Sequence, residues 1–329
     1  MKKRIWLLLL TLAVVAAACG DGTGSSTTAA AGDGSTTAAP VTGGETINLV
    51  ANAWTASALN AEIAKQLIES ELGNPVEIVA IDENTMFTGL SDGSLDVVLE
   101  VWPSGITPDE QAFLDDGSVV NVGELGVVGQ IGWFVPSYVI DEHPDLATWE
   151  GYLDPANAAL FATAETGDLG RFLGTDPSYS QYDEPIIANL GLPFMAVFSG
   201  SEPATVAELD TRVAASEPIL MYWWTPTAAV AKYDLVQVEL PEYSDECYGG
   251  EVSEVDCAYP SDTLVKLASA GLEEKAPNVL TFLEAFTLTN EDQLGMLPAV
   301  EIDGEDASDI AAQWIADNED VWSAWLAAQ

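Results

Sequence analysis

The sequence predicts an α/β protein in which two doubly wound lobes surround a ligand cleft. Three observations lead there. Of 329 residues, 48% are apolar, and at about 150 residues per domain that is material for two hydrophobic cores. Alternating extended stretches and amphipathic stretches of 3.6-residue period follow one another, the β-α-β order of a parallel sheet. Tryptophans stand at the ends of extended stretches, and open α/β sheets bind ligands beyond the carboxyl ends of their strands.

The chain begins with Lys2, Lys3 and Arg4, followed by an uncharged apolar run over residues 5–18. Such a run is short for a membrane span and fits a secretory signal. It ends in Ala16-Ala17-Ala18-Cys19, which resembles the bacterial lipobox and predicts lipid attachment at Cys19 after removal of residues 1–18. Residues 19–45 are nearly all Gly, Ser, Thr, Ala and Asp, a flexible tether.

Nine Lys and Arg stand against 53 Asp and Glu, a formal charge of −44. Removing the signal, with its three basic residues and no acid, takes this to −47. Nucleic acid is excluded as the main partner, since phosphates need Lys and Arg to release their counterions. So acidic a chain resembles proteins of salty surroundings, where ions screen self-repulsion. A single His and the absence of HExxH or paired CxxC spacing leave little for zinc chemistry. With Cys19 lipidated, Cys247 and Cys257 remain, and in an exported protein they predict a disulfide.

Ile47, Leu49, Ala51 and Ala53 alternate with polar residues and predict a strand. Ala64, Leu67, Ile68 and Leu72 share one face of the helix that follows, which Gly73 ends. A strand over 76–81, a helix over 85–90 and a strand over 95–101 complete the first β-α-β-α-β series. Residues 127–135 are extended. The second series is a strand near 160–163, a helix near 183–190, a strand near 194–198, a helix at 204–215 and a strand at 218–223. Helices are predicted at 261–270, 277–286, 291–297 and 307–326. The expected lobes are 46–135 with 225–329, and 136–224.

Of the ten tryptophans, Trp149, Trp314, Trp322 and Trp325 read as packing residues, whereas Trp54, Trp102, Trp133, Trp223 and Trp224 cluster at element ends. Ala53-Trp54-Thr55-Ala56-Ser57, Ser91-Asp92-Gly93-Ser94-Leu95-Asp96-Val97, Glu100-Val101-Trp102-Pro103, Gly132-Trp133-Phe134-Val135-Pro136 and Trp224-Thr225-Pro226 occur in that order. Together they resemble the substrate-binding proteins of glycine betaine/choline (quaternary amine) ABC transporters. The resemblance spans about residues 45–329. It implies a type II periplasmic-binding-protein fold, no enzymatic activity, a methylated-amine ligand, an ABC permease as partner, and a monomer held to the membrane by lipid alone.

By the same resemblance Trp54, Trp102 and Trp224 form an aromatic cage, with Trp133 as a fourth wall; Trp223, on the opposite face of its strand, packs inside. A trimethylammonium group has no N–H to donate, so the negative faces of indole rings suit it. The resemblance places a ligand carboxylate on backbone amides, here Gly167 and Asp168. The family's histidines appear as Thr107 and Thr227, so either hydroxyls replace imidazole or the ligand lacks a carboxylate. Glu100 could pair with the positive end of choline or protonated trimethylamine N-oxide, or be a solvated strand-end acid. Trimethylamine N-oxide and dimethylsulfoniopropionate are alternative ligands. Glu242, Asp245, Glu246 and Glu251 in an acidic insertion are a candidate Ca²⁺ set, with solvated acids as the alternative. Two further readings are a sensory ligand-binding protein and a secreted hydrolase; the latter lacks a Gly-x-Ser-x-Gly elbow and a spare His.

Overall fold

The structure, a computed structural model, describes residues 43–179 and 181–327. The predicted signal, Cys19 and nearly all of the tether lie outside them. The strands are β1 (Ile47–Ala51), β2 (Val76–Ala80), β3 (Val97–Val101), β4 (Val119–Pro136), β5 (Gly170–Gly174), β6 (Phe194–Phe198), β7 (Leu220–Thr225), β8 (Leu235–Gln237) and β9 (Ser261–Ser269). They form one mixed sheet in the order β2-β1-β3-β9-β4-β7-β5-β6, with β8 on β4. The triads β2-β1-β3 and β7-β5-β6 are each parallel, and antiparallel β9 and β4 join them.

Side-chain alternation explains how helices cover both faces. Ile47, Leu49 and Ala51 of β1 and Val97 and Leu99 of β3 pack with Leu59, Ile63 and Leu67 of the helix Thr55–Leu67. The intervening Val50, Val98 and Val101 pack on the opposite face with Met86, Phe87 and Leu90 of the helix Glu83–Asp92. A strand buried on both sides is what a doubly wound sheet requires.

Three sequence expectations are corrected. Residues 261–270 form β9, not a helix: Asp262, Leu264, Lys266 and Ala268 alternate along the strand, and hydrogen bonding to both β3 and β4 settles its state. Residues 160–163 are not a strand; a 3-10 turn at Ala159–Phe161 precedes β5, which starts at Gly170. The last predicted helix is two, Ala307–Asp317 and Glu319–Leu326, interrupted at Asn318, whose side-chain amide donates to the Trp314 carbonyl at 2.8 Å.

Cys247 and Cys257 form a disulfide across ten residues. The four candidate calcium carboxylates are not drawn together: among the described residues the grouping close enough to share an ion is Cys247, Asp256 and Cys257, and the disulfide consumes both thiols. Asp245 instead accepts the Tyr243 hydroxyl at 2.8 Å. Lys266 is fully buried in β9. Its ammonium donates to the carbonyls of Leu283 (2.7 Å), Glu284 (3.2 Å) and Phe286, closing the carboxyl end of the helix Pro277–Ala285. No helix among the described residues is long and apolar enough to cross a membrane.

Candidate functional site

Strands β1, β3, β5 and β7 deliver the aromatic walls of a cavity just past, or at, their carboxyl ends. Trp54 follows β1, and Trp102 follows β3, where Pro103 stops the strand. Tyr179 lies in the loop after β5, while Tyr222 and Trp224 occupy alternate positions of β7 and so share a face. These five aromatic side chains, with Glu83, Gly105 and Ile131, line a pocket with about 370 Å³ of space not filled by atoms, including the part open to solvent. The five rings are nearly buried, 4–8% exposed.

Ring geometry locks the walls together. Tyr179 stands edge-on to Trp54 (5.5 Å between centroids, 86°) and to Trp224 (5.8 Å, 83°). Trp223, fully buried behind, stacks on Trp224 at 4.5 Å and 26° and donates its indole N–H to Thr227 Oγ1 at 2.8 Å. Trp102 lies against β4 at Gly129, where a Cβ would come within 2.2 Å of the ring, so only glycine admits the indole there.

Glu100, 1% exposed, does not line the cavity; it sits behind the two indoles from β1 and β3. It accepts the Trp54 N–H at 2.7 Å, the Trp102 N–H at 3.3 Å, and the side-chain amides of Asn60 (2.6 Å) and Gln293 (3.2 Å). Burial pushes its carboxyl up to about 7, against the lowering effect of these four donors.

The remaining candidates are placed elsewhere. Trp133 is fully buried, donates to Asp183 Oδ1 at 2.6 Å and packs on Phe172 at 4.8 Å, outside the cavity wall. Gly167 and Asp168 are exposed and precede β5, at its amino end; the Gly167 N–H is taken by the Thr163 carbonyl at 3.0 Å. The misplaced strand explains this: the loop after β5 is 175–179, which supplies Tyr179. Thr107 caps the helix Pro108–Asp115 in a reciprocal box with Glu110, away from the cavity. Tyr179 and Tyr222 were not anticipated. Tyr222 had a signal, two residues before Trp224 on one strand face; Tyr179, in an irregular loop, had none.

Hydrogen bonds of three side chains tie the segment carrying β5 and β6 to the β1–β3 side: Tyr179 Oη donates to the Ala53 carbonyl (2.8 Å), Tyr182 Oη to the Ser104 carbonyl (2.8 Å), and the Glu202 carboxylate accepts Thr55 N (3.0 Å) and Oγ1 (3.2 Å). Thr55 opens a helix whose residue at the cap position, Trp54, supplies no side-chain bond, so Glu202 satisfies an end that favours negative charge.

Residues 45–317 match the family described as the substrate binding domain of ABC-type glycine betaine transport system (OpuAC). The chain belongs to that family. This OpuAC-family chain is 25% identical over 277 residues to the trimethylamine N-oxide-binding protein of Pelagibacter ubique, covering 82% of this chain and 87% of that one. Its fold is that of lactococcal OpuAC, solved closed with glycine betaine (TM-score 0.68, 19% identity, 86% of this chain and 99% of that one). It is also that of an ABC-transporter choline binding protein in complex with choline (0.70, 18%, 86% and 91%). These are type II periplasmic binding proteins. OpuAC-family members are extracytoplasmic binding components of transporters, not enzymes.

Burial also raises Asp183 and Glu202 to about 7 and Glu301 to about 8, from 3.8 for Asp183 and 4.5 for the two Glu. Folded values above the unfolded ones mean that the folded state binds these protons more tightly. Their stabilisation is complete below the unfolded values and disappears as pH rises through 7 to 8. The melting temperature is therefore expected to fall between pH 5 and pH 7.5 at constant high salt; a rise across that window in calorimetry would contradict this.

Proposed function

We propose that the chain is a solute-binding lipoprotein that captures a small methylated amine in this aromatic cavity and delivers it to an ABC permease. The carrying observation is five aromatic side chains around one space whose only charged wall residue, among the described residues, is Glu83. At about 0.5–2 kcal/mol per ring, the five supply roughly 2.5–10 kcal/mol, and micromolar affinity needs about 8.

An acidic residue in a wall whose lining includes no Lys or Arg favours amines that lack a carboxylate. Choline and trimethylamine N-oxide fit better than glycine betaine or dimethylsulfoniopropionate, and the Pelagibacter relative supports the N-oxide. Residues 136–224 act as one lobe and 46–135 with 225–329 as the other. The bonds from Tyr179, Tyr182 and Glu202 hold the two closed over ligand, and the permease reads closure. The lipid on Cys19 tethers the receptor. Isothermal titration with these four compounds is the test: tighter binding of the two carboxylate-free amines is expected, and no heat from any of them refutes the proposal.

A further inference from the structure

We infer that Glu100 is a positioning and charge-supplying residue for the cavity: its buried carboxylate fixes the Trp54 and Trp102 indoles and makes their faces selective for cations over neutral molecules of the same shape. The inference rests on the methylated-amine reading and names what sets its selectivity. One carboxylate oxygen, Oε1, accepts both indole N–H groups, so the two walls share one anchor. The other oxygen, Oε2, is held by Asn60 on the helix Thr55–Leu67 and by Gln293 on the helix Asn290–Glu301. Four donors on one fully buried acid are far more than a packing role needs, and no basic side chain is among them.

The physical consequence is directional. An indole attracts a cation through the negative face of its ring. A carboxylate bonded at the edge N–H adds electron density to that ring and leaves a negative charge just beyond it, in surroundings where charge is weakly screened. Neither effect acts on a neutral ligand. The fixed ring edges also keep both faces turned to the same space before ligand arrives, which lowers the ordering cost of binding.

The test compares a matched pair at pH 8.5, where Glu100 is ionised: choline with 3,3-dimethylbutan-1-ol, in which a carbon replaces the ammonium nitrogen. Glu100→Gln keeps the shape and loses the charge. Its affinity for choline is expected to drop about tenfold, while affinity for the neutral isostere changes less than about threefold. A choline-to-isostere ratio equal to that of the unmodified protein overturns the inference while leaving the ligand reading intact. Absence of binding to any methylated amine by the unmodified protein overturns both.

Where Glu100→Gln fails to fold, the unmodified protein titrated at pH 6.0 and 8.5 gives the answer. Choline should bind several-fold tighter at the higher pH and the isostere equally at both. The titratable groups facing this region are Glu83, Tyr179, Glu202 and, beyond it, Glu301. Glu202 and Glu301 change charge in the same window, so the pair is repeated in Glu202→Gln/Glu301→Gln. Loss of the pH effect in that double variant counts against Glu100.

Discussion

Trp224→Ala is expected to weaken binding of the preferred amine at least tenfold, about 1.4 kcal/mol or more. Trp224 joins two parts of the wall: it meets Tyr179 edge-on, neighbours Tyr222 at 6.1 Å and rests on Trp223. Truncation removes a ring face from the ligand and also frees Tyr179, so the loss exceeds the contribution of one ring. The fold should persist, because one side of the indole already borders open space and Trp223 keeps its bond to Thr227. Trp224→Phe retains a face and should cost less. Titration calorimetry alongside circular dichroism reads both variants; unchanged affinity in the alanine variant removes Trp224 from the site.

Lys266→Ala is expected to destabilise the protein by about 3–5 kcal/mol, because buried carbonyls are left without their donor. The ammonium is fully buried, and burial lowers it to about 8, yet it satisfies three carbonyls at the end of the helix Pro277–Ala285. Without it those carbonyls lose their donors, at about 1–3 kcal/mol for each one left dry. Lys266→Met, which restores much of the volume but no donor, should recover only part of the loss. Denaturant unfolding at fixed salt measures both, and a loss below about 1 kcal/mol in the alanine variant would show that water replaces the ammonium.

The first parallel triad was legible because β1 and the helix after it display clean periods, 2 and then 3.6. β9 was not: it is buried on both faces, with Val265 and Leu267 packed on one side and Leu264 and Ala268 in the core on the other. Only its first four residues alternate between exposed and buried; the rest has no exposed face and hence no period to read, and its partners β3 and β4 are distant in sequence. β5 was hidden by its glycines. Gly170 pairs with Phe194 of β6, whose ring fills the space a Cβ would occupy at 2.4 Å, so the residue most unlike a strand former is the one the sheet demands. In the site, Trp54, Trp102 and Trp224 were readable as bulky residues at strand ends. Trp133 carried the same signal but is absorbed by Asp183, a partner fifty residues away that no local pattern announces.

The position of β9 in the middle of the sheet also dictates when the molecule can be completed. The outer edge of β3, finished at Val101, finds no partner until Ser269 has been made. Without β9, the amino-terminal half exposes an unsatisfied, valine-rich ribbon, the kind of edge that other chains adhere to. Truncation anywhere before the ninth strand should therefore yield insoluble product rather than a smaller receptor.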